Sequence, residues 1–386
     1  MYEELRNHKL ILLGNEHYNP LGLVRCIGEH KLSVIAIIVH DNNQRLVSKS
    51  KYVTKLYFVN NLNEGLTILL RDYGDESLKP FIFTCDDTAT DFLNKNYKLL
   101  INRFYFFNSG ESDLVNRYMN KNHQVELAKS VGMNVLWTKE VQTGTIPPDV
   151  IYPLITKAID SITIREWKKL SYICNNEKEL KEAFGKIKSE RVLLQQFVDK
   201  KNELGIDGYA IKNGTEVLIT FGYNYKYVQD GAFSHYINIF TPKKKELNDL
   251  VSAYLKELNY EGIFDVEFIE DKNGVFYFCE INLRNSAWNY AATTAGMPMP
   301  LMWASDMLKG DISYSKLVQI PEGYSAMEGA GYLKNLIKEH RGSIRFLKEF
   351  EGVDCHFIYN TKDMTPFWSF IVGIIKRKVN KFIGKQ

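Results

Sequence analysis

Residues 261–288, EGIFDVEFIEDKNGVFYFCEINLRNSAW, constrain the fold of this chain more than any other segment. They have the pattern of two β-strands joined at Asn273-Gly274, the dipeptide that most readily accepts the positive φ angles of a two-residue type I′ turn. If these two residues form the turn, Lys272 pairs with Val275, and the register of the whole hairpin is fixed.

The predicted register gives this hairpin one polar face and one apolar face, because side chains alternate along a strand. Glu267 lies opposite Glu280, and Asp265 lies opposite Asn282. The polar face consists of Asp265, Glu267, Glu280, Asn282 and Arg284. The apolar face consists of Val266, Phe268, Phe278, Ile281 and Leu283, and we expect it to lie in the core.

Facing carboxylates such as Glu267 and Glu280 repel each other and weaken a hairpin unless a positive charge lies between them. Carboxylate and amide oxygens are hard ligands that suit Mg²⁺, which usually also takes oxygens from substrate phosphates. A solvated acidic face without an ion is the alternative. The acidic ladder favours a magnesium site, because an unneutralised ladder costs stability.

This segment resembles the metal-binding end of the ATP-grasp superfamily, in which an acidic residue on one strand precedes Glu-x-Asn-x-Arg on the next. The resemblance implies that Glu267, Glu280 and Asn282 bind magnesium and that Arg284 contacts phosphate or the acyl group. Asp265 lies one step outside this pattern, so we expect it to support the ligands. The implied cofactors are ATP and Mg²⁺, with two ions and with Mn²⁺ as a substitute.

The composition predicts a multidomain cytoplasmic enzyme. With 386 residues, 45% of them hydrophobic, the chain can bury a large core and form two to four subdomains. Its 49 Lys and Arg nearly balance 46 Asp and Glu, which is not typical of a nucleic-acid-binding protein. Five scattered cysteines without a CxxC motif favour a reducing compartment. The first residues lack an apolar signal-peptide core, and no apolar run approaches the ~20 residues that span a bilayer.

The N-terminal residues predict a Rossmann-like parallel sheet. Apolar runs at 9–14, 33–40 and 80–84 have the pattern of buried strands, and the segments between them have helical patterns. The first helix is expected to begin at Asn19-Pro20 and to run to about Glu29. No GxGxxG motif follows the first strand, so dinucleotide binding is not predicted. A scaffold domain that forms one wall of a substrate cleft is the favoured interpretation.

Two acidic residues follow the strand at 80–84. Asp86 and Asp87 lie at the carboxyl end of that strand, where parallel sheets place ligand contacts. They are equally suited to cap the helix that follows, and the sequence leaves both roles open.

Two lysines match positions at which the ATP-grasp family binds nucleotide phosphates. Residues 120–138 predict a helix, capped by Gly132, that leads into a strand, and Lys121 matches the lysine near the helix start. Residues 149–159 predict a strand that resembles the family's second lysine strand, with Lys157 as the phosphate ligand. A lysine inside an apolar strand requires an anionic partner, which favours this functional interpretation of Lys157.

The adenine site is predicted between these lysines and the hairpin. Residues 160–170, DSITIREWKKL, occupy the position of the family's glycine-rich flap but contain no glycine, so Ser161, Thr163, Lys168 and Lys169 are its candidate phosphate contacts. The apolar run VLLQQFV resembles the strand that ends in the adenine hinge, which implies contacts from Gln196, Phe197 and Val198. Glu203 matches the acidic residue that holds the ribose hydroxyls, although a solvated loop glutamate is an alternative.

A polar, aromatic segment follows at 222–240, and relatives contact phosphate or acceptor substrate here. Lys226 is predicted to bind nucleotide, whereas His235 is equally compatible with a structural role. Gly205 and Gly208 are consistent with a turn before this segment. Residues 241–260 predict an amphipathic helix with Thr241 as its N-cap.

The C-terminal residues 367–386 predict a basic amphipathic helix. Its apolar patch is too short to span lipid, and five basic residues surround or follow it: Lys376, Arg377, Lys378, Lys381 and Lys385. It could lie on the inner face of an anionic membrane. A helix that docks on the body with a solvated lysine face is the other interpretation.

Together these patterns predict an α/β and α+β chain. The N-terminal Rossmann-like domain is expected at 1–115, the ATP-grasp small lobe at 116–198, the large lobe with the metal site at 199–310, and a C-terminal extension at 311–386. The resemblance implies an ATP-dependent ligase that activates a carboxylate as an acyl phosphate and couples it to an amine, in cell-wall or surface-polysaccharide metabolism. Lys157 and Arg284 are its candidate catalytic residues, and Trp288, Asn289 and Tyr290 are expected to line the acceptor pocket. A phosphotransferase and a non-catalytic nucleotide-binding scaffold are the alternatives.

Overall fold

The computed structural model describes residues 2–40, 45–112, 114–157, 159, 171–228, 234–338 and 343–382, which contain three β-sheets. One sheet is parallel and the other two are mainly antiparallel. This arrangement confirms the predicted mixture of α/β and α+β structure. The predicted phosphate flap at 160–170 lies outside the described residues, as do residues 383–386 of the tail.

The parallel sheet contains the strands that the N-terminal pattern predicts. Its elements are β1 (Leu10–Gly14), α1 (Tyr18–Glu29), β2 (Val34–Val39), β3 (Val53–Val59), α2 (Leu62–Tyr73), β4 (Phe81–Thr84) and α3 (Asp87–Lys95). The strand order is β3-β2-β1-β4. Helix α1 begins one residue before the predicted cap Asn19, because the His17 ring accepts the Asn19 N–H.

Three helices lead out of this sheet: α4 (Tyr97–Leu100), α5 (Leu114–Tyr118) and α6 (Lys121–Ser130). The predicted helix near residue 120 is confirmed as α6. The side chain of Asn120 caps it by accepting the N–H groups of Asn122 and His123. Gly132 follows its last turn at φ 92°, a conformation that favours glycine.

A small antiparallel sheet follows, composed of β5 (Thr138–Gln142), β6 (Leu154–Lys157), β7 (Ile173–Cys174) and β8 (Arg191–Gln196), with helix α7 (Glu177–Phe184) packed on it. The strand order is β5-β8-β6-β7. The predicted strand at 149–159 is therefore wrong in extent, because ladder pairing starts only at Leu154. Pro153 has no N–H group with which to extend the ladder.

A seven-stranded sheet forms the centre of the molecule. Its strands are β9 (Lys200–Ile211), β10 (Glu216–Tyr225), β11 (Tyr236–Phe240), β12 (Gly262–Asp271), β13 (Phe276–Asn282), β14 (Ser325–Met327) and β15 (Cys355–His356). The order is β13-β12-β9-β10-β11-β14-β15, and only the last pair is parallel. The predicted turn at Gly205 and Gly208 is wrong, because both glycines lie inside β9. A Cβ atom on Gly205 would lie 1.9 Å from the Tyr223 ring, so close packing explains this glycine.

The helices on and after the central sheet are α8 (Lys245–Glu257), α9 (Asn289–Thr294), α10 (Met299–Lys309), α11 (Gly329–Lys338), α12 (Ser343–Glu351) and α13 (Thr365–Phe382). Helix α8 starts later than predicted. Thr241 does not cap it, because its hydroxyl accepts the N–H of Ile320 instead. The predicted C-terminal helix is confirmed as α13. Among the described residues, no helix is both long enough and apolar enough to cross a membrane.

One large apolar core joins the parallel sheet to the central sheet. Trp303 of α10 is fully buried and packs edge-on against Phe81, Phe83 and Phe107, with ring centroids 4.8–5.7 Å apart. Because α10 also packs on β9 and β12, this packing connects the parallel sheet to the central sheet.

Candidate active site

The β12–β13 hairpin pairs its acidic residues as the sequence predicts. Asp265 lies opposite Asn282, and Glu267 lies opposite Glu280. The five residues of the predicted apolar face are buried, each at most 3% exposed: Val266, Phe268, Phe278, Ile281 and Leu283. The polar and apolar faces of the hairpin are therefore as expected.

The turn of this hairpin, however, differs from the prediction. The Asp271 N–H donates to the Val275 carbonyl at 3.0 Å, so three residues connect the strands instead of two. Gly274 has a φ of 80°, whereas Asn273 is not among the residues with positive φ. The predicted type I′ turn is therefore wrong. The Asp271 carboxylate favours the longer connection, because it accepts the N–H groups of Asn273 and Val275.

A β-bulge corrects the register that the longer turn shifts. Phe268 pairs with Phe278, and the next pair is Glu267 with Glu280, so Cys279 is the extra residue of the bulge. The three-residue turn shifts the strand pairing by one residue, and the bulge at Cys279 shifts it back by one. The pairing of Glu267 with Glu280 is therefore the one that the two-residue turn predicted. The bulge also allows Phe278 and Ile281, three residues apart, to enter the same core.

The polar face continues onto the neighbouring strands β9 and β10. Asp207 of β9 lies opposite Asp265, and Gly205 lies opposite Glu267. The Tyr223 hydroxyl crosses the space above Gly205 and donates to Asp265 at 3.2 Å. Asp207 is fully buried and accepts a hydrogen bond from the Ser286 hydroxyl at 2.6 Å. The structure thus brings a third strand with a buried carboxyl group to the predicted site.

Helix α6 places Lys121 directly over the acidic face. Its Nζ atom lies 2.5 Å from Oε2 of Glu280. Gln124, one turn further along the helix, exchanges two hydrogen bonds with the backbone of Ile281, at 3.0 and 3.1 Å. Because Ile281 follows Glu280, this amide contact fixes the start of α6 relative to the acidic strand.

Lys157, at the end of β6, acts electrostatically on the same acidic strand. Its positive charge contributes to lowering the pKa of Glu280, after the larger effect of Lys121. Burial raises the pKa of Cys279 to about 11, and the positive charge of Lys157 acts in the opposite direction. Lys121 therefore contacts Glu280 from helix α6, whereas Lys157 of the small sheet acts on Glu280 through its charge.

The carboxyl groups of the face differ in their electrostatic state. Burial, together with the neighbouring Asp207, raises the pKa of Asp265 well above its usual range. Burial and the facing Glu280 do the same to the pKa of Glu267. Burial also raises the pKa of Asp207 to about 8. The protein's own cations are therefore too few to keep all of these carboxyl groups ionised, and a bound divalent cation would favour their ionised forms.

Arg284 links the hairpin to the parallel sheet. Its Nη2 donates to Oδ1 of Asn282 at 3.1 Å, and its Nε lies 3.3 Å from Oδ1 of Asp87. Asp87 opens helix α3, so the guanidinium lies between the acidic hairpin and the carboxyl edge of β4. Asp86 caps α3 by accepting the Ala89 N–H at 2.8 Å.

The predicted metal ligands fit magnesium by their donor chemistry. Glu267 and Glu280 provide carboxylate oxygens on adjacent strands. The Asn282 amide now donates through Nδ2 to Glu267 at 3.3 Å, so it must rotate to present its oxygen. Within the described ranges, no three His, Cys, Asp or Glu side chains are grouped so as to hold an ion by themselves. Oxygens from phosphate or water must therefore complete the shell, as is usual for Mg²⁺.

A cavity of about 340 Å³ lies between this face and the parallel sheet. It is lined by Asn15, His17, Tyr18, Asn19, Cys85, Asp86, Asp87, Asp265, Glu267, Arg284, Ala287 and Trp288. Of the predicted acceptor residues Trp288, Asn289 and Tyr290, only Trp288 lines this cavity. Tyr290 instead donates to Glu29 of α1 at 2.8 Å. Asp86 thus caps a helix and also lines the cavity, whereas the ligand contact considered for it stays a prediction.

A pair of amides holds the two walls of the cavity together. Asn19 donates to the Asn285 carbonyl at 2.9 Å, and Asn285 donates back to Oδ1 of Asn19 at 2.8 Å. Asn19 also donates to the Cys85 carbonyl at 2.9 Å. All three residues are buried, so these bonds fix the loop after Arg284 against the edge of the parallel sheet.

The predicted hinge residues Gln196, Phe197 and Val198 follow the end of β8. The Gln196 N–H donates to the Trp137 carbonyl, and the Phe197 N–H donates to the Pro153 carbonyl, each at 2.8 Å. These two donors are therefore engaged within the protein. Any hydrogen bond from this backbone to a ligand would have to use Val198 or the carbonyl oxygens.

The last two predicted nucleotide contacts, Glu203 and Lys226, are not aligned for nucleotide binding in this structure. Glu203 lies in β9, not in a loop, and its Oε1 is 2.5 Å from Nζ of Lys200. Its charge contributes to the raised pKa of Glu267, which connects it to the acidic face. Lys226 is exposed at the end of β10, and its Nζ lies 6.0 Å from the centre of the Tyr236 ring. It forms no ion pair with the described residues.

Sequence reasoning missed three residues of this site: Asp207, Tyr223 and Gln124. The signal for Asp207 was available, because an acid in the apolar run GIDGYAI is unusual in a buried strand. Tyr223 and Gln124 have no such signal, since each acts through a strand or helix that is distant in sequence. His235 lies 3.4 Å from Glu328, which belongs to the loop between β14 and α11.

Several solved structures share the fold of this chain. No protein-family model matches the chain, and no curated protein matches it in sequence. An L-amino acid ligase from Bacillus licheniformis is 16% identical with a TM-score of 0.62, over 82% of this chain and 78% of that one. N5-carboxyaminoimidazole synthetase from Staphylococcus aureus is 15% identical with a TM-score of 0.66, over 86% of this chain and 85% of that one.

A third similar structure contains a bound nucleotide. The biotin carboxylase domain of Hydrogenobacter thermophilus 2-oxoglutarate carboxylase, solved with MgADP and bicarbonate, is 18% identical with a TM-score of 0.61. The match covers 81% of this chain and 72% of that one. The chain therefore has the fold of these ATP-grasp ligases, as the sequence of the β12–β13 hairpin predicted. At these identities the likeness establishes the fold alone.

Proposed function

We propose that this chain is an ATP-dependent carboxylate–amine ligase of the ADP-forming type. The observation that carries the proposal is that Lys121 and Arg284 contact one acidic face that borders a cavity, while the charge of Lys157 acts on the same face. Three cations from three separate elements would neutralise a triphosphate and a transferring phosphoryl group. The ATP-grasp fold and the ligases that share it support the same reaction class.

Nucleotide would bind between the small antiparallel sheet and the central sheet. Val198 would supply the backbone donor to adenine, since the N–H groups of Gln196 and Phe197 are already engaged. The Glu203 carboxylate would accept hydrogen bonds from the ribose hydroxyls once its ion pair with Lys200 is broken. Lys226 remains a proposed phosphate contact that would require its exposed side chain to turn inward.

Glu267, Glu280 and Asn282 would hold magnesium, with two ions expected and with Mn²⁺ able to replace them. When bound, the metal supplies positive charge against the phosphate oxygens. Lys121 and Lys157 would hold the phosphates in line for transfer to the substrate carboxylate. Arg284 would orient the carboxylate and stabilise the tetrahedral oxyanion that forms during amine attack.

The amine would approach from the parallel sheet. In the cavity, Asp86 and Asp87 face this end, and Tyr18 and Trp288 provide aromatic walls. Burial raises the pKa of Asp86, which suits a carboxylate that must accept a proton. The amine nitrogen would attack the acyl carbon, the bond to the phosphate oxygen would break, and Asp86 would take the proton that the amine loses.

The proposed substrates are small molecules. The nearly equal numbers of basic and acidic residues do not suggest a nucleic acid as a further partner. We infer an amino acid or sugar acid as the carboxylate, in cell-wall or surface-polysaccharide metabolism. We also propose a cytoplasmic location, with peripheral contact of residues 367–386 with the inner face of the membrane.

Hydroxylamine trapping tests this proposal. The enzyme is incubated with Mg-ATP, hydroxylamine and a panel of amino acids and sugar acids, and hydroxamate and phosphate are measured. A ligase forms hydroxamate, because neutral hydroxylamine captures the acyl phosphate. Stable phospho-product without hydroxamate would instead indicate a phosphotransferase, and no ATP turnover with any acid would favour a non-catalytic scaffold.

The Asp86→Asn variant separates activation from coupling. Asparagine caps a helix as well as aspartate does, so the fold should be preserved. We expect hydroxamate formation to remain near the wild-type rate while coupling to an alkylamine falls by about a hundredfold. Equal losses in both assays would remove Asp86 from the amine step without affecting the ligase assignment.

A further inference from the structure

The C-terminal helices expose an unusual share of apolar surface. Fifteen large apolar side chains are more than a third exposed among the described residues, and seven of them lie between Ile337 and Val379. Four of the seven belong to α13. Large exposed apolar patches usually mark a surface that another molecule covers.

The four residues on α13 form one continuous line, which we call the apolar stripe: Trp368, Val372, Ile375 and Val379. Their exposed fractions are 57%, 48%, 55% and 46%. Their spacing of four, three and four residues places them within an arc of about 60° on a helix of 3.6 residues per turn. The stripe is about 16 Å long, since each residue adds 1.5 Å.

The opposite side of α13 is already used for packing. Phe367 and Phe370 pack against the main core, and Pro366 is buried. The Phe367 ring lies 5.3 Å from that of Tyr359 in a T-shaped contact. The helix is therefore held by one face, and the apolar stripe is left on the other. The alternative of a docked helix that exposes only solvated lysines therefore does not account for the exposed apolar residues of α13.

The charged residues of α13 itself have a single sign. No Asp or Glu occurs after Asp363, whereas the sequence from 365 to 386 contains five Lys and Arg residues. Lys376 and Arg377, beside the stripe, are exposed. A narrow apolar line with a tryptophan and basic neighbours has the chemistry of a helix that lies in the interface of an anionic bilayer.

We infer that the apolar stripe is a membrane-contact surface that seats α13 parallel to an anionic bilayer. The inference rests on the peripheral location in the proposed function and names the surface responsible for it. A second copy of the chain is less well matched, because two such helices would bring their basic residues together. The contact does not depend on the ligase reaction, so vesicle binding and turnover can fail separately.

Co-sedimentation of the full-length chain with vesicles tests this inference. Vesicles of phosphatidylcholine with about 30% phosphatidylglycerol are compared with pure phosphatidylcholine, at low and high salt. We expect binding to the anionic vesicles alone, with weaker binding at high salt. The double substitution Val372→Ser and Ile375→Ser should reduce the bound fraction at least about tenfold, because both side chains leave the interface.

The matched control replaces two equally exposed apolar residues elsewhere. Leu99 and Val318, at 43% and 46% exposure, are changed to serine, and this variant should bind like the wild type. Thermal unfolding verifies that all variants are folded. Equal partitioning of wild type and stripe variant, or absence of anionic vesicle binding, would overturn the inference. The inference would also be overturned if the wild type and the control variant form a dimer without lipid and the stripe variant does not. The stripe would then be an interface between two copies of the chain.

Discussion

Lys121 and Glu280 form an ion pair at 2.5 Å although 159 residues separate them in the chain. Each side chain is about a quarter exposed. The pair joins the start of helix α6 to the outermost strand of the central sheet. In the proposed enzyme, this lysine would turn from Glu280 to nucleotide phosphate when Glu280 binds the metal. The pair thus marks the point where nucleotide and metal would meet.

Glu280→Gln tests the acidic face directly. We expect turnover of Mg-ATP to fall by roughly a hundredfold or more, because a neutral amide is a poor replacement for a metal-binding carboxylate. The unfolding temperature should change little, since the facing Glu267 loses a repulsive neighbour while Lys121 loses a partner. Glu270→Gln, on the same hairpin but outside the polar face, is the matched control and should keep wild-type activity. Retained activity in Glu280→Gln would count against the assigned site.

Addition and removal of the metal give a second prediction. Mg²⁺ with ADP should raise the unfolding temperature more than ADP with EDTA does, because a bound ion neutralises the carboxylates of this face. Mn²⁺ should replace Mg²⁺ in the same assay. Glu267→Gln should lose the metal-dependent increment but retain an unfolding temperature near that of the wild-type apoprotein. A metal-dependent increment of wild-type size in this variant would exclude Glu267 as a ligand.

Arg284→Lys tests the role of the guanidinium fork. Lysine keeps the positive charge but cannot contact Asn282 and Asp87 together. We expect kcat to fall by about a hundredfold with little change in the KM for ATP, since the interaction is required mainly in the transition state. Steady-state kinetics at varied ATP measure both constants. A large rise in the KM for ATP with unchanged kcat would place Arg284 in nucleotide binding instead.

The buried pair of Arg25 and Asp363 anchors the C-terminal segment to helix α1. The two side chains are fully buried, with Nε and Oδ2 3.0 Å apart, and Arg25 also donates to three carbonyl oxygens. Arg25→Met should lower the free energy of unfolding by about 3–5 kcal/mol, because it leaves a buried charge without its partner. Urea unfolding measures this loss.

The second half of the same experiment uses Asp363. Arg25→Met combined with Asp363→Leu should be more stable than Arg25→Met alone, since no unpaired charge remains in the core. If the double variant is no more stable, lost hydrogen bonds to the backbone, rather than the unpaired charge, dominate the cost.

His356 should make the stability depend on pH. Burial lowers its pKa to about 4, so the folded state favours the neutral ring. The unfolded chain binds a proton near pH 6.5, and the stability from the neutral ring is therefore present above that pH. It should be lost between about pH 6.5 and 4, by up to about 3 kcal/mol. His356→Phe, which keeps the ring against Phe350, should flatten the unfolding profile in this window. An unchanged profile would mean that other groups cause the dependence.

The hairpin illustrates how much of the site could be predicted. Alternating polar and apolar residues fixed which carboxylates face each other, because the packed core tolerates only one register. The turn was predicted wrongly, since Asp271 captures two backbone N–H groups and lengthens the connection. The spacing of Phe278 and Ile281 contained the missing signal. Two core residues three positions apart in a strand require a bulge.

By itself, the sequence determined three of the four strands of the parallel sheet, the two faces of the β12–β13 hairpin and the amphipathic C-terminal helix. Each of these follows from a local period of apolar residues that is read against the geometry of one element. Only the tertiary structure decided that Gln124 holds Lys121 close to Glu280 and that Asp207 joins the acidic face. The hydrogen bonds between Asn19 and Asn285 were likewise decided by the tertiary structure. These contacts join segments far apart in the chain, and no local period records which distant surfaces pack together.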